Sequence, residues 1–556
     1  MYLITVIPTK RKIPDGELSY ISSDQLSIGT IIDAPIKKSI EKSLVVSVKN
    51  VQDEKSYIKS LPWKLLKIEK STNNIILKKE VVNAINDFCY YSLVSRDIII
   101  RACLKEIKLK KTKINEESKT LIITSGNKKL EKQSDTANVA TFATFLEFFK
   151  DEKSKITHII VDDPENLSNY GNIYLGFDPV AFIVILCNIL KIKISFQSYN
   201  TRLRYNEWNI DQIKKPILNT NTDLRIISRE DEPHNEKQFP ISLPIQEVIL
   251  KNLNPPAGGK RILIITPTKN FSPKTICGDC SQIHSCPNCH DALKLVKNNR
   301  NYAKNYGISG NYIFICLNCK TGYTALAKCT NCDSWNLTPL GYGIERIIEN
   351  VQNIIPNKYK DNIYDFSTYI KQKDIKNWQT NGGIIIGPLN TINEINECDI
   401  CIVPSLGALL YNEFFESVER ARDIIHYANN CTHGMIVSVM QNNEKEFLSQ
   451  SDTDWQKNEL INRKDLHYPP YSRHVIFNLD PYASKVEKIQ KDIIKILGQH
   501  SIPETISIEK SILGQIKIHA SFPTNNWSIN KKDYELSKKI ANDLLPFMKY
   551  LKVEVY

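Results

Sequence analysis

Eight cysteines stand in four C-x-x-C pairs between residues 277 and 332: CGDC (Cys277, Cys280), CPNC (Cys286, Cys289), CLNC (Cys316, Cys319) and CTNC (Cys329, Cys332). A C-x-x-C turn presents two thiolates close enough to share one ion, and two such turns complete the tetrahedron that zinc prefers. Four turns make two full ligand sets, so two zinc ions are expected. An iron–sulfur cluster is the competing reading, because it also takes cysteine thiolates. With four protein thiolates on each ion no position stays open for water, so the expected sites are structural rather than catalytic. His284 and His290 lie beside the pairs and are expected at the surface or behind the ligands. A fifth pair, Cys398 and Cys401, falls inside an apolar run. Alternation along a strand predicts core thiols pointing to opposite faces there.

These ligands need a scaffold. A chain of 556 residues is too long for one core, and a prior of about 150 residues per domain predicts several units. Residues 1–107 alternate short β-type runs (YLITVIP, GTIIDAPI, SLVVSVKNV) with turn signals and close on a helical stretch from Val81 to Leu104, which reads as a β-rich domain. The charged segment KEIKLKKTKINEESK lacks apolar periodicity and reads as a linker. Residues 118–235 carry strand runs (LIIT, HIIVDD, IKISF) between helical stretches, the pattern of a parallel α/β layer. A second α/β unit, 240–447, opens with RILIIT, is interrupted by the cysteine-rich insert 275–337, and resumes at GYGIERIIENV. Residues 455–556 place strands HVIFNL, QIKIHASF and LKVEVY around two amphipathic helices, an α+β domain. The expected fold is multidomain α/β.

Lys and Arg number 73 against 61 Asp and Glu, a net charge of +12. That surplus favours a polyanionic partner such as nucleic acid, with a Lys-, Ile- and Asn-rich compositional habit as the bland alternative. The start MYLITVIPTKRK lacks the sustained apolar core of an export signal. The apolar run from Phe182 to Leu190 contains Asn188 and falls short of the roughly 20 residues that span a bilayer, so it reads as a buried helix. A cytoplasmic protein without a membrane partner is expected, in which the cysteines serve metal rather than disulfides.

The order of the knuckles, followed directly by GYGIERIIENV, resembles the primosomal replication-restart helicase family (PriA, primosomal protein N′). RILIITPTKNFSPKTICGDC is similar to that family's run into its first knuckle, HIIVDDPENLSNY to its Walker B region, FFESVERARDIIHYANNCTHGMIV to its last helicase motif, and RKDLHYPPYSRHVIF to the start of its C-terminal domain. ELSYISSDQLSIGTIIDAPI and INDFCYYSLVSRDIIIRACL are similar to its domain for DNA 3′ ends. The resemblance implies an N-terminal β-rich DNA-binding domain, a remnant of a first RecA-like lobe, a second RecA-like lobe carrying a binuclear all-cysteine zinc module, and a C-terminal α+β domain. It also implies a nested pairing: Cys277, Cys280, Cys329 and Cys332 on one zinc, and Cys286, Cys289, Cys316 and Cys319 on the other.

The departures fall where that family does its chemistry. A phosphate loop needs glycine-rich backbone followed by Lys and Ser or Thr, and no GxxxxGK[ST] occurs in this chain. TSGNKK (Thr124 to Lys129) follows a strand but has one glycine, and PAGGKR precedes a strand and reads as a turn. Where the family has DEEH, this chain has Asp162, Asp163, Pro164 and Glu165, so Asp162 and Asp163 are degenerate equivalents of the nucleotide site. IGTQ reads IGPL, and Asn430 and His433 stand where two arginines belong. An arginine finger is worth roughly 10³ to 10⁵ in rate. In the 3′-end pocket Ser19 replaces an acid and Lys37 a glycine. Tyr20, Lys37, Lys38, Lys64 and Lys67 are the candidate DNA contacts, against the bland reading of a solvated basic face.

Three functions follow as expectations. The first is a degenerate primosomal factor that binds DNA forks, gaps or single strands as a zinc-stabilised scaffold without ATP hydrolysis. Single-stranded DNA-binding protein and other primosome components are the implied partners. The second is an active ATP-dependent 3′-to-5′ helicase with an unrecognised nucleotide site. The third is a zinc-stapled protein-interaction module.

Overall fold

The computed structural model describes residues 1–9, 17–36, 39–61, 64–68, 76–107, 118–124, 137–149, 156–170, 175, 177–198, 202–215, 223–232, 239–253, 259–266, 274–287, 292–298, 306–316, 321–325, 328–329, 331–340, 342–366, 372–388, 395, 397–410, 416–480, 486–502, 505–510, 516–524, 527–529 and 535–555. The chain is a multidomain α/β protein in two compact units. One comprises Met1–Lys214, Ile461–Ile508 and Ile516–Tyr556, and the other Lys215–Leu460 and Glu509–Gln515.

The first unit opens with β1 (Tyr2–Pro8), β2 (Leu18–Ser22), β3 (Ile31–Ile36), β4 (Ser39–Asn50) and β5 (Lys67–Ile68), which form one sheet in the order β3-β4-β1-β2-β5. Ile4, Val6, Ile32, Ala34 and Val45 fill its small core. A second sheet is wholly parallel. It contains β6 (Thr120–Thr124), β7 (Asn138–Thr141), β8 (His158–Asp162), β9 (Lys193–Ser198) and β10 (Asp211–Lys214) in the order β10-β9-β8-β6-β7.

The apolar run expected to be a buried helix is one. Asp178 caps Pro179–Leu190 by accepting the Val180 amide at 2.9 Å, Pro179 supplies a preset φ for the first turn, and left-handed Lys191 ends it. Apolar all round from Pro179 to Cys187, this helix is covered on every side there, while Asn188 in its last turn is exposed. The amphipathic helix Lys79–Ser92 packs on it, with the Phe88 and Phe182 rings 5.6 Å apart edge to face.

The second unit is built on another parallel sheet that contains β11 (Asp223–Ser228) and β12 (Arg261–Thr266). Five short strands then form the cysteine module: β13 (Lys274–Cys277), β14 (Lys294–Lys297), β15 (Tyr312–Ile315), β16 (Gly322–Thr324) and β17 (Leu337–Leu340). The sheet resumes with β18 (Ile363–Asp365), β19 (Gly383–Pro388), β20 (Cys398–Val403) and β21 (Thr432–Val439), giving the order β11-β21-β20-β12-β19-β18. Its central strands read as continuous apolar runs because both faces are covered. Leu263, Ile265 and Ile385 face a core with Trp378 and Tyr427, while Ile262, Ile264 and Ile384 face Ile245, Ile249 and Ile347.

The first unit also holds the last sheet, apart from the final two residues of β23, in the order β23-β24-β22-β25, from β22 (Ser472–Leu479), β23 (Ser507–Lys510), β24 (Ile516–Pro523) and β25 (Leu551–Val555). Its inner face shares one hydrophobic core with Phe88, Phe182 and Val161. Trp527, fully buried there, donates its indole N–H to the Tyr91 carbonyl at 2.8 Å. Among the described residues no helix is long and apolar enough to cross a membrane.

One expectation about cysteines is corrected here. Cys398 and Cys401 are core residues, but they do not part to opposite faces. Both lie in one core cluster together with Cys431, whose sulfur is 3.8 Å from that of Cys398. Cys398 is the first residue of its strand, at the end where strict alternation need not yet hold.

Candidate metal centre

Two knuckles of the insert are built alike. In the first, the Cys277 amide donates to the Gln282 carbonyl at 2.9 Å and the Ser281 amide donates to the Cys277 carbonyl at 2.9 Å, with Ser281 left-handed at φ 59°. In the other, the Cys329 amide donates to the Ser334 carbonyl at 2.8 Å and the Asp333 amide donates to the Cys329 carbonyl at 3.0 Å, with Asp333 at φ 56°. Each turn curls amides around its own sulfurs, which neutral core thiols do not require.

The two knuckles are clamped together. β13 pairs antiparallel with β17, setting Cys277 opposite Leu337. The Gly278 amide donates to the Asn336 carbonyl at 2.7 Å, and the Asp279 carboxylate accepts from Ser334 Oγ at 2.5 Å and Asn336 Nδ2 at 2.8 Å. Those hydrogen bonds hold the Asp279 carboxyl below its ordinary value. A side chain at residue 278 would meet Asn336, since a Cβ there would stand 2.4 Å from its Nδ2, so the close approach needs glycine.

The result is a thiol tetrad. Sγ of Cys277 lies 3.6 Å from that of Cys332, Sγ of Cys280 lies 3.6 Å from that of Cys329, and all four sulfurs lie within 4.8 Å of one another. A tetrahedron of sulfurs around an ion at about 2.3 Å has edges of about 3.8 Å. The tetrad could therefore hold one metal ion with little movement. Amide N–H groups favour the thiolates: the Cys280 amide chiefly lowers Cys277, and the Gln282 amide chiefly lowers Cys280, to about 6.

Of the other four cysteines, Cys286 and Cys316 are described and lie buried together with Leu293, Leu295 and Phe314. The Cys316 amide donates to the Thr321 carbonyl at 2.9 Å, the same five-residue return seen in both outer knuckles. Cys289, Cys319 and His290 lie outside the described residues. His284 is not at the surface. It is buried with its ring edge-on to Phe314 at 4.8 Å, and burial lowers its pKa. The apolar face of the β14-β15-β16 sheet draws it inward.

Two residues that sequence reasoning passed over join the insert to the lobe. Glu345 accepts the Lys297 amide at 2.7 Å, and Glu349 accepts the Tyr312 hydroxyl at 2.7 Å. They stand four apart on the helix Ile344–Ile354, hence on one face. The signal was present in the spacing of GIERIIEN.

The other candidates are spread over the fold. Asp162 ends β8, and Asp163 follows in the left-handed region at φ 50°, its amide donating to the Gln197 carbonyl at 2.9 Å. One turn on, Glu165 meets two buried guanidiniums: Arg204 at 3.0 Å and Arg202 at 3.4 Å. Arg204 also donates to Ser168 Oγ at 3.0 Å and the Tyr205 hydroxyl at 2.8 Å. Asn430 is buried near the end of the helix Ser417–Cys431, and His433 is exposed on β21. Tyr20 is only 4% exposed and donates its hydroxyl to the Pro35 carbonyl at 2.7 Å, so its ring fills the sheet's core. Lys64 and Lys67 are exposed. Lys37, Lys38 and residues 125–129 of TSGNKK lie outside the described residues.

Fold and site together define a multidomain α/β protein whose second parallel sheet carries a cysteine module able to bind metal. The chain is similar to the replication restart protein PriA of Borreliella burgdorferi, at 24% identity over 391 residues; the match covers 63% of this chain and 54% of that protein. It therefore spans about half the relative's length. No family model matches the chain.

Proposed function

We propose that this chain is a PriA-like replication-restart factor that binds forked, gapped or single-stranded DNA as a zinc-stabilised scaffold and does not hydrolyse ATP. In this reading residues 118–235 and 240–447 descend from two RecA-like lobes, with the boundary moved back to about residue 215 because β11 (Asp223–Ser228) pairs with β21 in the second sheet, and residues 1–107 and 455–556 are the flanking DNA-binding and α+β domains. Eight cysteines hold two zinc ions, the outer four on one and the inner four on the other. Zinc suits an all-thiolate tetrahedron with no position left for water.

The observation that carries the reading is the state of the acidic turn after β8. A nucleotide-hydrolysing site needs its carboxylates turned to a hydrated Mg²⁺. Here two buried guanidiniums, Arg202 and Arg204, crowd the same turn and engage Glu165. The Glu165 carboxylate is thereby committed to guanidiniums instead of being turned to a hydrated cation. The missing phosphate-loop sequence points the same way.

The test is a side-by-side measurement of ATP hydrolysis and fork binding on the metal-replete chain. Expected are salt-dependent DNA binding and no DNA-stimulated hydrolysis. Hydrolysis that disappears in Asp162→Ala would overturn the proposal in favour of an active helicase. A chain that binds no DNA even at low salt would leave the interaction module standing.

A further inference from the structure

Trp335 is an anomaly in the cysteine module. The residue is 64% exposed, whereas Trp208, Trp378, Trp455 and Trp527 are all buried. It stands on the turn that leaves the Cys329–Cys332 knuckle, and the clamp on Asp279 fixes the residues on both sides of it, Ser334 and Asn336. The Leu337 amide donates to the Trp335 carbonyl at 2.8 Å. Exposed Lys328 carries its ammonium 5.1 Å from the ring centroid. Of the other exposed residues described on this turn, Asn331, Asp333 and Asn336 are polar and Cys332 belongs to the thiol tetrad, so the indole is not part of an apolar patch of the kind that docks a protein.

An indole held rigidly in water beside a lysine matches the chemistry of unpaired bases. The π-face takes any base by stacking, and the ammonium meets the neighbouring phosphate. We infer that Trp335 and Lys328 form a stacking platform for one unpaired base of a single-stranded nucleic acid. The inference rests on the DNA-binding reading above and deepens it: the metal clamp serves to hold this ring still. Stacking on one face demands an unstacked base, so the platform takes single strands and rejects intact duplex.

The experiment compares the full-length, metal-replete chain with Trp335→Ala, Trp335→Phe and Lys328→Ala. Fluorescence anisotropy would follow a labelled oligothymidylate and a duplex of equal length, with metal content measured on each protein. The expected result is about tenfold weaker single-strand binding for Trp335→Ala at unchanged metal content, substantial retention in Trp335→Phe, and unaltered duplex binding. Lys328→Ala is expected to reduce the salt dependence by about one phosphate contact. A wild-type chain that binds single strands no better than Trp335→Ala overturns the platform while leaving the DNA-binding reading intact. Equal losses on single strand and duplex overturn it as well. A wild-type chain that binds neither DNA removes both.

Discussion

Arg204 donates to Glu165 at 3.0 Å in the interior of the first unit, with the two side chains 7% and 15% exposed. A buried ion pair is weak evidence for net stabilisation, because both ions lose their water. Removing one partner of such a pair costs about 3–5 kcal/mol where the remaining charge is left alone, but here Arg202 still faces Glu165 at 3.4 Å. Arg204→Ala is therefore expected to lower the stability of the first unit by less, about 1–3 kcal/mol, through the lost hydrogen bonds to Glu165, Ser168 and Tyr205, read from urea unfolding. A loss below about 1 kcal/mol would mean that water reaches Glu165.

The thiol tetrad makes metal content a direct readout. Cys280→Ser and Cys329→Ser are each expected to lower bound metal relative to wild type, measured by elemental analysis of the purified chain. Cys398→Ser, altering a core thiol remote in sequence from the tetrad, is expected to leave metal content unchanged. Equal content in all four proteins would refute the assignment.

His474 gives the first unit a pH dependence. Burial, helped by His519, pushes its imidazole from 6.5 to about 4. Its Nε2 lies 3.4 Å from His519 Nδ1, and its Nδ1 lies 3.2 Å from Ser521 Oγ. Above pH 6.5 the ring is neutral in both folded and unfolded chains. As pH falls from about 6.5 to 4 the unfolded chain binds a proton that the folded one refuses, so stability drops, by about 3 kcal/mol at most. His474→Asn is expected to flatten that slope in denaturant titrations at pH 7, 5.5 and 4.

Trp527 tests the shared core of the first unit. Removing a fully buried indole costs about 3–5 kcal/mol, and here it also removes the hydrogen bond to the Tyr91 carbonyl. Trp527→Ala is expected to destabilise the N-terminal and C-terminal segments together. Hydrogen exchange should quicken in both Lys79–Ser92 and Ser472–Leu479. Faster exchange confined to the C-terminal strands would contradict a common core.

Glu349 tests how the module is held on its lobe. Its carboxylate accepts from Tyr312, whose phenol burial and Glu349 together push up to about 12. Glu349→Ala is expected to raise exchange in β15 by roughly the worth of one charge-assisted hydrogen bond, about 1.5–3 kcal/mol, with metal content intact.

The sequence by itself determined the local features. Four C-x-x-C spacings announced the knuckles, because a tight turn with two thiols is a property of four consecutive residues. The apolar runs at Ile262–Ile265 and Ile384–Ile386 announced doubly covered strands, and the run at Phe182 a buried helix, because periodicity reports how many faces are hidden.

Tertiary structure alone decided what depends on distance in space. That Cys277 meets Cys332 across 3.6 Å follows from the pairing of β13 with β17, which brings together residues far apart along the chain. That Arg202 and Arg204 close on Glu165, that Tyr20 fills a core instead of facing outward, and that Cys398 and Cys401 share a face are likewise set by which surfaces the folded chain hides. Local pattern encodes secondary structure and turns. Desolvation and charge pairing depend on neighbours that only the assembled fold supplies.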